Sequence, residues 1–150
     1  MKKSKMYFED FKIGLILKTN RKKISKEEII NFAKKYDPQD FHIDEKKASE
    51  GPFGKLVSSG FMTLGISFTQ FFETGVIKET GMGAWGIDEL RWTYPVYPND
   101  YLISEIKVLN KKISSKNPKK GTVRTLHTVK NQNNKVVMTW ISNFMIKTQS

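Results

Sequence analysis

At 150 residues, with 38% hydrophobic and 27% charged side chains, the chain has the composition of one ordinary globular domain covering its whole length, too apolar for disorder. Its lack of cysteine excludes disulfides, thiolate nucleophiles and cysteine zinc sites and suits a reducing compartment, so a cytoplasmic protein is expected. The net charge of +11 raises nucleic acid as a partner, but the excess is lysine, the only arginines are Arg21, Arg91 and Arg124, and no nucleic-acid reading motif accompanies them; attraction for an anionic small molecule, or a lysine bias of the source, accounts for it as well.

Along the chain, MKKSKMYFEDF has lysines with no apolar segment behind them, which argues against a signal peptide; residues 2–12 read as a basic tip followed by a docking segment. No uncharged apolar run approaches the ~20 residues that a bilayer demands, so no membrane association is expected. Gly14 precedes a short strand, LILKT. Ser25 and Glu28 have capping-box spacing, and Ile29, Ile30, Ala33 and Tyr36 follow at helical intervals, predicting a helix that Pro38 stops at Tyr36 or Asp37. The stretch from Asp37 to Lys55 reads as a long ordered connection with a short helix near Asp44–Ser49. From Ser59 to Glu73 the residues are apolar nearly all round, which predicts a buried helix ended by Gly75. After Gly83 four stretches alternate apolar and polar residues, separated by turn signals at Pro98-Asn99-Asp100, Asn117–Gly121 and Asn131–Asn134. The sum is an α+β domain: a curled antiparallel sheet around one apolar helix.

Within the connection, His42 is one of two histidines, with Asp37 five residues before it and Asp44 two residues after. A carboxylate and an imidazole can together hold a water and move its protons; an Asp capping a turn and a His satisfying a loop carbonyl explain the same letters. Ser58-Ser59-Gly60 opens the apolar helix, where unpaired amides and the helix dipole stabilise a developing oxyanion, or where a serine simply caps. Metal binding by Asp37, His42 and Asp44 lacks supporting spacing, since His127 lies far away in a strand and reads as a sheet-face residue. No GxSxG, Walker loop or dinucleotide fingerprint occurs, so no cofactor is expected. Arg91 reads as a paired strand residue. Lys111, Lys112, Lys116, Lys119 and Lys120 read as a solvated hairpin end that can also meet an anion.

The segment FAKKYDPQDFHIDEKKASEGPFGKLVSSGFM resembles the MaoC-like acyl dehydratases, relatives of the (R)-specific enoyl-CoA hydratases, through Asp37, His42, Asp44, Pro52, Phe53, Gly54 and Gly60. DELRWTYPVYPND is similar to that family's third-strand segment and its closing turn. The resemblance implies a hot-dog fold and a hydro-lyase that interconverts 2-enoyl and 3-hydroxyacyl thioesters. It implies that Asp37 and His42 bind the catalytic water, with Asp37 as main base. It implies that Gly60 N–H holds the thioester oxygen, with Ser59 and Gln39 as substrate-binding neighbours. Coenzyme A, or acyl carrier protein, would enter as part of the substrate, and two subunits would pair edge to edge as a homodimer. Four positions depart from the family: Gln39 for Asn, Asp40 for Pro, Ser59 where many members have His, and Asn99 where the turn has Gly. Asp40 would raise the pKa of either partner if it pointed inward. The rival readings are a hot-dog acyl-CoA thioesterase and a non-catalytic acyl-CoA-binding module.

Overall fold

The computed structural model describes residues 4–149. Part of the tip expected over residues 2–12 therefore lies outside the described residues. A 3-10 turn at Phe8–Asp10 follows, and Phe11 behind it is fully buried, which makes this a docking segment. Six strands and four helices come next: β1 (Ile16–Lys18), β2 (Lys22–Lys23), α1 (Lys26–Tyr36), α2 (Asp40–Ile43), α3 (Glu45–Ser49), α4 (Gly60–Glu73), β3 (Gly81–Trp92), β4 (Tyr101–Ile113), β5 (Lys120–Lys130) and β6 (Val136–Lys147).

The strands form one antiparallel sheet in the order β1-β4-β5-β6-β3, with β2 also on β4. Alternation in β5 puts Val123, Thr125, His127 and Val129 on the buried face, where α4 packs. Two apolar clusters flank that helix. Leu56, Met62, Ile66, Val137 and Trp140 surround its first half; Phe71, Ile106, Val123 and Phe144 surround its last turn. Polar pairs pin it to the sheet as well: Trp140 Nε1 donates to Ser67 Oγ (2.9 Å), and Ser104 Oγ donates to Gln70 Oε1 (2.9 Å). The local signals act as expected. Ser25 Oγ accepts from Glu28 N–H at the start of α1, although the Glu28 carboxylate turns to Lys22 instead of closing the box. Gly75 follows α4 with φ +85°. Asn99, where the family has Gly, has φ +73°, a left-handed conformation that Asn tolerates better than most residues.

The central helix is not covered on every side: Phe61, Phe68 and Phe72 are each about half exposed, on one stripe with Gly65. The sheet curls round the other faces of α4 and stops at β3. This twelve-residue strand pairs only with β6 and leaves Met82, Trp85, Ile87 and Trp92 largely open. Among the described residues, no helix is long and apolar enough to cross a membrane.

Candidate active site

Pro38 ends α1, and the chain turns at once into the single-turn helix α2, which sequence periodicity is too short to reveal. That turn carries His42 back over Asp37, with His42 Nε2 3.3 Å from Asp37 Oδ2. Asp44, the other carboxylate near the histidine, is used elsewhere: its side chain accepts from Lys47 N–H and caps α3. Asp40 points outward, exposed, with Lys47 Nζ 3.7 Å away, so it adds no charge to the pair.

Both partners are held in place. His42 Nδ1 lies 2.6 Å from the carbonyl oxygen of Val57, an acceptor only, so Nδ1 carries the hydrogen and donates. Val57 N–H in turn donates to the Phe41 carbonyl, and Ser58 N–H to that of Val96, which ties residues 56–58 to α2 on one side and to the segment after β3 on the other. With Nδ1 committed, Nε2 of a neutral His42 is an acceptor, and it faces a carboxylate that is one too. Two acceptors in contact call for a shared proton or for a molecule with two hydrogens to give.

Asp37 receives two hydrogen bonds: Gln39 Nε2 donates to Oδ1 (2.8 Å) and Ser59 Oγ to Oδ2 (2.8 Å). Partial burial pushes its pKa up, but these donors and the positive form of His42 together outweigh burial and hold the carboxyl below its ordinary value. Ser59 is fully buried and caps α4, its Oγ accepting from Phe61 N–H while donating to Asp37. Ser59 and Gln39 thus both direct their side chains at the carboxylate.

Gly60 opens α4, and its N–H, one of the helix's unpaired first amides, has no acceptor among the described residues. The indole of Trp92 lies across it, with Nε1 donating to the Gly60 carbonyl (3.0 Å); a Cβ at residue 60 would fall inside that ring. Glycine is required here by the close approach of a neighbour. Nothing in the sequence links Trp92 to Gly60, and the tryptophan was not anticipated as part of the site.

Asp37, His42, Gln39 and Gly60 line a cavity of about 490 Å³. The rest of its lining is mostly aromatic and apolar, with Phe41, Phe53, Phe61, Trp92, Tyr94 and Val96, and also includes the hydroxyl residues Ser58, Thr63 and Thr93. Phe41 packs edge-on to His42 and to Phe53 (ring centroids 4.6 and 5.3 Å). Arg91 is exposed, donates to the Leu90 carbonyl and does not line the cavity. His127 is on the inner sheet face as expected, away from this cavity and stacked on Trp140. Of the hairpin lysines, Lys111 bonds the Phe8 carbonyl, while Lys112, Lys116 and Lys120 line a separate groove beside Trp85.

A family model described as "MaoC like domain" matches residues 11–131. The chain is 39% identical over 106 residues to an uncharacterized protein, YdeM, of Bacillus subtilis, a match covering 71% of this chain and 75% of that one. Among solved structures, a MaoC-like dehydratase from Rhodospirillum rubrum superposes with a TM-score of 0.89 at 29% identity, covering 97% of this chain and 99% of the other. The (R)-hydratase PhaJ1 from Pseudomonas aeruginosa has the same fold, with a TM-score of 0.78 at 22% identity over 97% of this chain and 88% of its own.

Proposed function

Since the chain belongs to the MaoC-like dehydratase family, with its hot-dog fold, we propose that it reversibly adds water to a 2-enoyl thioester of coenzyme A or acyl carrier protein, and that Asp37 and His42 perform the proton transfers. The observation that carries this reading is the pair of facing acceptors, Asp37 Oδ2 and His42 Nε2, beside the free amide of Gly60 in one aromatic cavity. A water seated over both, on the cavity side, gives one hydrogen to each and turns a lone pair toward the substrate. As its oxygen bonds to C3, Asp37 takes the proton, and the electrons of the C2–C3 double bond move onto the thioester oxygen. That oxygen is then an enolate, suited to the Gly60 amide and the positive end of α4. The proton passes to C2 as the carbonyl re-forms, completing the 3-hydroxyacyl product with no electrons gained or lost. Ser59 and Gln39 serve by keeping the carboxylate ionised and aimed.

A second copy of the chain is the expected partner. A long unpaired edge strand with exposed Trp85 and Ile87, beside the bare Phe61–Phe68–Phe72 stripe, is a surface that folded proteins cover. Strand-to-strand pairing about a two-fold axis is antiparallel by symmetry and would continue the sheet.

Purified protein incubated with enoyl-CoA thioesters of graded length should convert at least one to its 3-hydroxyacyl product. Release of free thiol without hydration would make it a thioesterase. Saturable binding of every thioester with no turnover would make it a binding module.

A further inference from the structure

The cavity has aromatic walls but no cation among its lining residues, whereas the chain as a whole has a net charge of +11. Two lysines stand beside it. The segment of residues 93–97 forms one wall through Tyr94, Pro95 and Val96. Lys135 Nζ lies 5.2 Å from the centre of the Tyr94 ring, and Lys55 Nζ lies 3.9 Å from that of Tyr97. The two tyrosines meet edge to face at 6.4 Å, so the four side chains make one continuous row, Lys55–Tyr97–Tyr94–Lys135. Lys55 also follows Phe53, another residue that lines the cavity, by two residues.

Both lysines are exposed, and neither has a carboxylate within ion-pairing distance among the described residues. Cation–π contact restricts each side chain without neutralising its charge. Other basic clusters lack this placement. Lys18, Arg21, Lys22 and Lys23 surround a pocket at the last turn of α4, about 20 Å along the helix from Gly60 at 1.5 Å per residue. Lys112, Lys116 and Lys120 lie in the groove that shares no residue with the cavity.

We propose that Lys55 and Lys135, seated on Tyr97 and Tyr94, form a cationic rim that binds the phosphate of the pantetheine arm carrying the acyl group. The inference rests on the reading that a carrier-bound thioester enters this cavity. The acyl end enters the cavity among its aromatic walls, and the anionic end of the arm stays at the surface, where neither ammonium group is paired with a carboxylate. The same phosphate ester occurs in coenzyme A and in the prosthetic arm of acyl carrier protein, so this rim would serve either.

The test is calorimetric binding of three butyryl thioesters, which cannot be hydrated: those of pantetheine, 4′-phosphopantetheine and coenzyme A. The full-length protein should bind the phosphopantetheine thioester more tightly than the unphosphorylated one. A Lys55→Ala/Lys135→Ala variant should lose about tenfold of that affinity, the scale of two exposed charges, while binding the pantetheine thioester as before. Lys116→Ala/Lys120→Ala should change none of the three. A gain that comes with coenzyme A alone would overturn the assignment to the pantetheine phosphate, because the contact would then be made by the nucleotide. Equal affinity for all three ligands, or equal weakening of all three by the double variant, would overturn the rim. The two readings fail separately. If enoyl forms of all three carriers are hydrated with the same KM, the rim is wrong and the hydratase stands. If the affinity order appears without hydration of any enoyl thioester, the hydratase is wrong and the rim stands.

Discussion

The two histidines are both shielded from solvent, yet their surroundings fit them for opposite purposes. His42 has each ring nitrogen opposite a chosen partner, the Val57 carbonyl and the Asp37 carboxylate, and it borders a cavity. His127 lies in β5 between Trp140 (stacked at 3.9 Å) and the edge-on ring of Phe71; its Nε2 meets Thr125 Oγ1, and its Nδ1 has no partner among the described residues. Burial pushes its pKa down to about 3, because the charged ring would lose its hydration there. Burial alone therefore does not mark a reactive imidazole. What distinguishes His42 is a second acceptor, 3.3 Å from its Nε2, at the edge of a cavity.

The largest difference should appear in turnover. Asp37→Asn or His42→Ala should lower kcat by about 10²- to 10⁴-fold, the usual contribution of a general acid or base, whereas His127→Phe should leave it within about twofold. Assay of all three variants on one enoyl thioester makes the comparison, and a comparable loss in His127→Phe would erase it. Next in size is Gly60→Ala. The added methyl must displace the Trp92 indole and shift the first turn of α4, so kcat should fall about 10- to 100-fold, as misplacement by an ångström can cause. A change in KM alone would instead mean that the residue only shapes the cavity.

Ser59→Ala should have a smaller effect, visible mainly against pH. The hydroxyl helps to hold Asp37 below its ordinary pKa, so its removal lets that pKa rise, and the acidic limb of the kcat profile should move to higher pH. A limb that stays in place would show that Gln39 and His42 suffice. His127 should be silent in kinetics and audible in stability. Its folded pKa is depressed, so above pH 6.5 it is neutral in both states and contributes no pH dependence. Below 6.5 the unfolded chain takes up a proton that the folded one refuses until about pH 3. Stability should fall by about 1.4 kcal/mol per pH unit over that window, and His127→Phe should flatten the slope between pH 6.5 and 4.5, before carboxylates titrate. Urea melts at stepped pH read this directly.

Much of this was legible in the letters. Ser25 and Pro38 bracket α1, Gly75 follows α4, and the turn signals separate four strands, because caps, breakers and alternation are local physics. The Asp37–His42 pairing needed more. Periodicity cannot see the four-residue helix α2, which turns His42 toward Asp37 and leaves Asp44 to cap α3. The Val57 carbonyl that fixes the tautomer is a backbone atom with no signature in sequence. Apolar residues nearly all round α4 predict a buried helix, but nothing in them says which stripe the chain's own sheet leaves bare. If β3 is the interface with a second copy, Ile87→Lys should shift the protein toward monomer in sedimentation; an unchanged species would leave the strand without that role.

The most direct test is to measure kcat and thioester affinity together for Asp37→Asn, on whichever enoyl thioester the wild type hydrates. The expected result is turnover reduced at least about 100-fold with affinity unchanged within about threefold, since only the base is lost and the cavity walls remain. Turnover within tenfold of wild type would contradict the assignment, because the water would then be activated elsewhere.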